Sequence, residues 1–410
     1  MKAPYWVFLL AFALLFLVKG VLPAFSQVGT DYANYYTASW VAVHDRAESF
    51  RLYDQAWFSE KAKELGEPLG GIFQPFPPPT AILMVPLTAI PMMAAKDFWT
   101  VCNILIAASL LVFLSKLDKE TCPVSALVLF GSGWAMVNAV YLGQVYLLML
   151  FCLALSMHFR ALGRDVLSGI FAGVFIPIKY FPITLVALFV LEKRWKAVGS
   201  SLAAAAVISL GSVALLGWEI HAHFLQSVFA SHLDGQLSNP FALSYQSWNS
   251  LLRNLFVKDQ ILNPDPAFNW TNGFAIARWA IALAIISPFF VAVRREMLNA
   301  RRTGMLVALL FVTTLLLSPA SASYHMLLLA LPAALLLPEL QRDVNKNALT
   351  VLAASYLTMG ILPIALLDQL SLHGGLILLG YPRLYLLLIM FVTLVRLTYH
   401  QPPQILSRAQ

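Results

Sequence analysis

VLSGIFAGVFIPIKYFPITLVALFVL, residues 166–191, decides how this chain is to be read. Its only charge is Lys179, framed by Pro177 and Pro182. A run this long and apolar belongs in a bilayer. As one span it would hold an ammonium in hydrocarbon, at about 2.5–3.5 kcal/mol on insertion scales. As a hairpin of two short helices it returns to the side it came from and presents Lys179 at its turn.

The neighbouring loops choose between these. A second ambiguous stretch, residues 80–95 (TAILMVPLTAIPMMAA), is short and broken by Pro86 and Pro91. Let 166–191 be a hairpin and let 80–95 lie at the outer surface or re-enter it. Then Lys116, Lys119, Arg160, Arg164, Lys193, Arg194, Lys196, Arg294, Arg295, Arg301, Arg302, Arg342 and Lys346 all face the cytoplasm, as the positive-inside bias requires. The opposite assignment sends loops 116–120 and 160–165 outside. The hairpin reading is therefore adopted, with both termini inside.

Further apolar runs able to span are 5–25, 97–115, 122–141, 144–159, 197–217, 276–293, 304–318, 325–338, 348–366 and 383–398. The first follows Lys2 as a secretory signal would. It continues past Lys19 to Phe25, close to the ~20 residues of a spanning helix, and reads as a retained span. Of the 410 residues 60% are hydrophobic and 11% charged, far from soluble domains, where about 25% are charged. The expectation is one all-α, polytopic membrane domain over residues 1–410 with roughly 11–13 spans. Two long extracytoplasmic segments, 26–79 and 218–275, mix charges with aromatics (Trp40, Trp57 and Phe58; Phe224, Trp248 and Trp270) and read as interfacial helices.

Composition and motifs exclude several classes. The net charge of +7 lies in short loops rather than on a basic helix interleaved with aromatics, so no nucleic-acid partner is expected. Cys102, Cys122 and Cys152 have no metal-type spacing and read as small buried hydrophobes. His221 and His223 lack a third ligand, and no metal is expected. No GxxxxGK[ST] loop supports an ATP-driven pump. Asn269-Trp270-Thr271 is a glycosylation acceptor only in a eukaryotic cell.

Polar residues at the outer junctions carry the chemistry. Asp31, six residues past the first span, is either an ionised base or a cap for the helix that follows. Lys179 either holds an anion or snorkels to the interface. His325, closing Ser318–His325, either donates to phosphate or serves as an interfacial hydrogen-bonder. Gln144, Gln246 and Asn249 read either sugar hydroxyls or loop backbone, Arg253 shares that ambiguity, and Arg383 opens the last span as a further phosphate candidate.

These positions also carry a resemblance. Asp31 with Tyr35 and Tyr36, Leu52-Tyr53-Asp54, the run Gln74–Pro79 before Pro86, Gly143-Gln144, Lys179 before an aromatic and proline, Gln246-Ser247, and Ser318-Pro319 followed by His325 occur in an order that resembles glycosyltransferase family 87. These are bacterial polyprenol-phosphate-mannose-dependent mannosyltransferases of the membrane-embedded GT-C class. The chain departs from the family's usual pattern at Phe76, where a Tyr often precedes the prolines, and at Tyr324, where a Trp often stands. The resemblance implies a GT-C-like helical bundle in the cytoplasmic membrane of a bacterium. It implies inverting transfer of a hexose from a polyprenyl-phosphate donor to a glycolipid or glycan acceptor on the extracytoplasmic side, with no required metal or other cofactor. Asp31 would be the base, His325, Lys179, Arg253 and Arg383 the donor-phosphate contacts, and Tyr35, Gln144, Gln246 and Asn249 the sugar contacts. Two other classes remain open: a transporter or flippase of lipid-linked or polar substrates, and an O-antigen-type ligase or polymerase. Transporters place ionisable residues near the midplane and show repeats, whereas here such residues gather at outer junctions.

Overall fold

A computed structural model describes residues 4–118, 122–236, 239–299, 302–342, 345–363 and 372–399. Lys119 and Arg301, weighed above, lie outside these, as do the side chains of Lys116, Cys122 and Arg342. Among the described residues there is no strand, only one isolated β-bridge between Asp259 and Asn263. The helices are α1 (Trp6–Ala24), α2 (Thr30–His44), α3 (Gln55–Glu64), α4 (Met92–Ser115), α5 (Cys122–Phe130), α6 (Trp134–Tyr141), α7 (Tyr146–Ala161), α8 (Asp165–Gly173), α9 (Ile183–Leu191) and α10 (Trp195–Leu216). There follow α11 (218–234), α12 (Trp248–Phe256), α13 (Thr271–Leu298), α14 (Thr303–Leu317), α15 (Ser323–Gln341), α16 (Lys346–Ile361) and α17 (Pro382–Tyr399).

Six of these, α1, α4, α10, α13, α15 and α17, are long and apolar enough to cross a membrane. The pair α5 and α6, bent by 65°, makes a seventh if counted as one broken span. This is fewer than the roughly 11–13 expected from hydropathy. The remaining apolar runs lie on α7, α14 and α16, with 16, 15 and 16 residues, and on the two hairpin arms α8 and α9, with nine each, all shorter than the 18 residues of a full span. The α5–α6 break has a packing cause: Gly133 has φ +53°, and a Cβ there would stand 2.1 Å from the Gly360 carbonyl oxygen.

Lipid contact follows from burial. Only 11% of the apolar window of α10 is buried in the protein, with Leu202, Val207 and Leu210 exposed. On α13, Trp279, Leu283 and Phe290 are exposed in the same way. An apolar face this continuous has hydrocarbon, not water, as its solvent.

Residues 166–191 form the hairpin. Arg160 at the end of α7 forks onto Glu192 just beyond α9, with Nε to Oε2 at 2.7 Å. Arg194, just before α10, pairs with Asp165 at the start of α8 at 2.6 Å. The paired charges put both feet of the hairpin on one floor, and Lys179 at its apex. Residues 80–91 form no separate span before α4, whose first turn takes in 92–95. They make short 3-10 turns against α2, where Ser39 Oγ accepts from Met84 N at 3.1 Å and Tyr36 OH donates to Ile90 O at 2.7 Å.

Candidate active site

The first turn of α2 is seated on the α6–α7 turn. Gly29 is its N-cap, with φ +78°, and Tyr32 N donates to Leu142 O at 2.9 Å. This approach needs Gly143, whose φ is +69° and where a Cβ would lie 2.6 Å from Tyr32 Cβ. The next residue, Gln144, is thereby fully buried against α2, and its Oε1 accepts a short bond from the buried Tyr35 OH. Gly143→Val is expected to cost about 1–3 kcal/mol in left-handed strain alone, and more from the clash. Thermal unfolding in detergent should fall by several degrees, with lost activity, whereas Gly163→Ala, at an open turn of similar φ, should leave activity intact.

Asp31 occupies the second position of α2 and is half-buried. It does not cap the helix: Gly29 does, and Asp31 accepts no first-turn N–H. Burial raises its pKa above the usual carboxylate value, while the Gln144 amide and the charge of Lys179 act in the opposite direction. Lys179 Nζ stands 4.5 Å from the Phe76 ring centre, 5.5 Å from Tyr35 and 5.6 Å from Tyr146. No acceptor or carboxylate among the described residues meets it, so only ring faces and the field of Asp31 support the cation. Burial lowers its pKa to about 8 despite Asp31.

His325 enters from the strap that follows α14. Its Nδ1 accepts from Ala322 N at 2.9 Å, so the neutral ring carries its proton on Nε2. Tyr146, Phe181 and Tyr324 hold the ring, with centres at 5.0, 4.9 and 4.9 Å. Tyr324 is in turn within electrostatic reach of Asp31, Tyr35, Tyr146 and Tyr245. Elements distant in sequence thus gather a carboxylate, an ammonium, an imidazole N–H and an amide.

The Pro-rich run forms one wall. Phe76 meets Tyr35 edge-on at 5.1 Å, and Tyr53 OH fixes the Phe76 carbonyl at 2.7 Å. His232 clasps this wall to the hairpin, bonding Gln74 O through Nε2 at 2.7 Å and Tyr180 OH through Nδ1 at 3.2 Å. Burial lowers the His232 pKa, which suits a neutral clasp. Sequence reasoning passed over His232, and a single histidine in an amphipathic segment offers no signal. It also passed over Lys96, fully buried, whose Nζ donates to the Ala24 carbonyl at 3.2 Å and secures the end of α1.

The other candidates are committed to different partners. Gln246 Nε2 donates to Leu243 O and Gly380 O, and its Oε1 accepts from Arg383 N at 3.1 Å. Arg383, only 1% exposed, spends its guanidinium on Met359 O, Leu362 O and Ser323 Oγ. Asn249 Nδ2 donates to Asp234 O at 2.8 Å, and Arg253 pairs with the Asp234 carboxylate at 3.2 Å. Gln246 N and Ser247 Oγ also hold Ser321 O and Pro319 O, which sets the strap carrying His325. His221 bonds Ser212 and Gly217 O. No cluster of three or more His, Cys, Asp or Glu that could hold a metal occurs among the described residues.

A profile of glycosyltransferase family 87 matches residues 73–319, more than half of the chain. The matched stretch contains the Phe76 wall, Gln144 and Lys179, and it lies between Asp31 and His325. No curated protein and no solved structure matches the chain. Together with its bundle of membrane-spanning helices, the profile match makes the chain a membrane glycosyltransferase that belongs to glycosyltransferase family 87.

Proposed function

We propose that this enzyme moves a hexose, with mannose the expected sugar, from a polyprenyl-phosphate donor to a lipid or glycan acceptor at the outer face of the cytoplasmic membrane, inverting the anomeric carbon. One observation carries the reading: the Asp31 carboxylate and the Lys179 ammonium share a field without an ion-pair contact, so neither charge is spent on the other. Asp31 takes the proton of the acceptor hydroxyl as its oxygen attacks the anomeric carbon. The bond from that carbon to the phosphate oxygen breaks on the opposite face, and polyprenyl phosphate leaves with its electrons. Lys179 and the His325 Nε2–H meet the growing negative charge. Raised basicity suits Asp31 to this role, since a carboxylate of ordinary pKa is a weak base. Gln144 and Tyr35, which bond each other beside Asp31, are assigned to the sugar hydroxyls. Arg253, Arg383, Gln246 and Asn249 hold the frame.

The test is incubation of purified protein with radiolabelled polyprenyl-phosphate mannose, or in parallel the arabinose analogue, plus a membrane lipid extract. A labelled glycolipid from the mannose donor is expected, with free polyprenyl phosphate in equal amount. Product from arabinose alone, or from neither, would overturn the reading.

A further inference from the structure

Away from the Asp31 cluster, a small cavity with Asn249, Arg278 and Ser318 in an otherwise apolar lining shares Trp248 with an apolar groove. The cavity, about 80 Å³, is lined by Leu233, Trp248, Asn249, Arg278 and Pro319. The groove, about 410 Å³, runs between α13 and α17 along Trp248, Ile285, Pro288, Leu388, Phe391 and Val395. Both flanking helices are candidate spans, so the groove faces hydrocarbon.

The head of this channel has unspent polar capacity. Asn249 is 5% exposed, and its Oδ1 has no hydrogen-bond partner. The Nε1–H of Trp248 is equally buried and unpartnered. Buried polar atoms left in this state destabilise the fold unless a ligand meets them. Charge is unbalanced as well. Asp234 alone faces both Arg253, at 3.2 Å, and Arg278, in a short contact, so the cluster carries one net positive charge.

We infer that this channel holds an anionic phospholipid of the surrounding membrane, its phosphate and hydroxylated headgroup at Trp248, Asn249 and Arg278 and its acyl chains along α13 and α17. The phosphate oxygens accept from Trp248 and supply the missing negative charge, and a headgroup hydroxyl donates to Asn249 Oδ1. Pro319 lies in both the cavity wall and the strap that leads to His325, so the bound lipid braces that strap from behind. The inference does not depend on which sugar is moved.

Its test uses nanodiscs of phosphatidylcholine containing a trace of phosphatidylglycerol with a photoreactive diazirine in its acyl chain. Adducts should concentrate on residues 281–288 and 388–395. Yield should fall about fivefold in Arg278→Gln, the effect of one basic residue near an anionic headgroup. It should fall at least as far in Ala284→Trp, which fills the groove from an exposed position and spares the ion pairs. A phosphatidylcholine probe should show no such focus. Equal labelling of α10, yields unchanged in both variants, or displacement of the probe by equimolar polyprenyl phosphate would each overturn the inference.

Discussion

Asp31→Asn enzyme is expected to turn over at about one-thousandth of the wild-type rate, within the 10²–10⁴-fold range of a positioned general base, while folding normally and still binding donor. The amide keeps the shape of the carboxylate and cannot take the acceptor's proton. Stability should hold or rise. Because burial raises the Asp31 pKa, the folded state binds its proton more tightly than the unfolded chain does. Stability therefore falls as pH climbs above the unfolded value of 3.8, and at neutral pH the ionised carboxylate is a cost that Asn removes. Single-turnover transfer and thermal unfolding of the same preparation check both halves. Normal transfer by this variant would remove Asp31 from the chemistry.

Lys179→Met keeps the aromatic surroundings and deletes the charge. A loss of about 10²–10³-fold in kcat is expected, the usual effect of removing one group that meets transition-state charge. The pH profile gives an independent reading. In wild-type enzyme, kcat/KM should decline above about pH 8 as the free ammonium loses its proton. It should also decline on the acid side, below the raised pKa of Asp31. Lys179→Arg stays charged and should shift the alkaline limb upward, with partial recovery of rate. If Lys179→Met kept both the wild-type rate and the alkaline limb, the leaving phosphate would have to be held elsewhere. This variant too should unfold no earlier than wild type, since a lysine of lowered pKa costs stability whenever it is protonated.

Sequence pattern located Asp31, Tyr35, Gln144, Lys179 and His325 at junctions of one side, and the structure gathers them. It could not separate Gln144 from Gln246. Both are glutamines beside a junction between apolar runs, yet one faces Asp31 and the other satisfies three backbone groups. The same holds for Lys179 and Arg383, two cations near apolar runs, of which only Arg383 spends its donors on carbonyls and a hydroxyl. Which partner a polar group meets depends on contacts between distant segments, and periodicity carries none of that. Hydropathy likewise reports apolar runs but not helix lengths, so the shortness of α7, α14 and α16 is visible only in the fold.

The length of α7 has one more consequence. Its 16 residues rise about 24 Å at most, from the Arg160 floor to Tyr146 beside Lys179. The hydrocarbon layer is about 30 Å thick. A bilayer around α7 must therefore thin locally to match so short a helix. Hydrophobic mismatch, hence lipid chain length, then becomes a control on turnover.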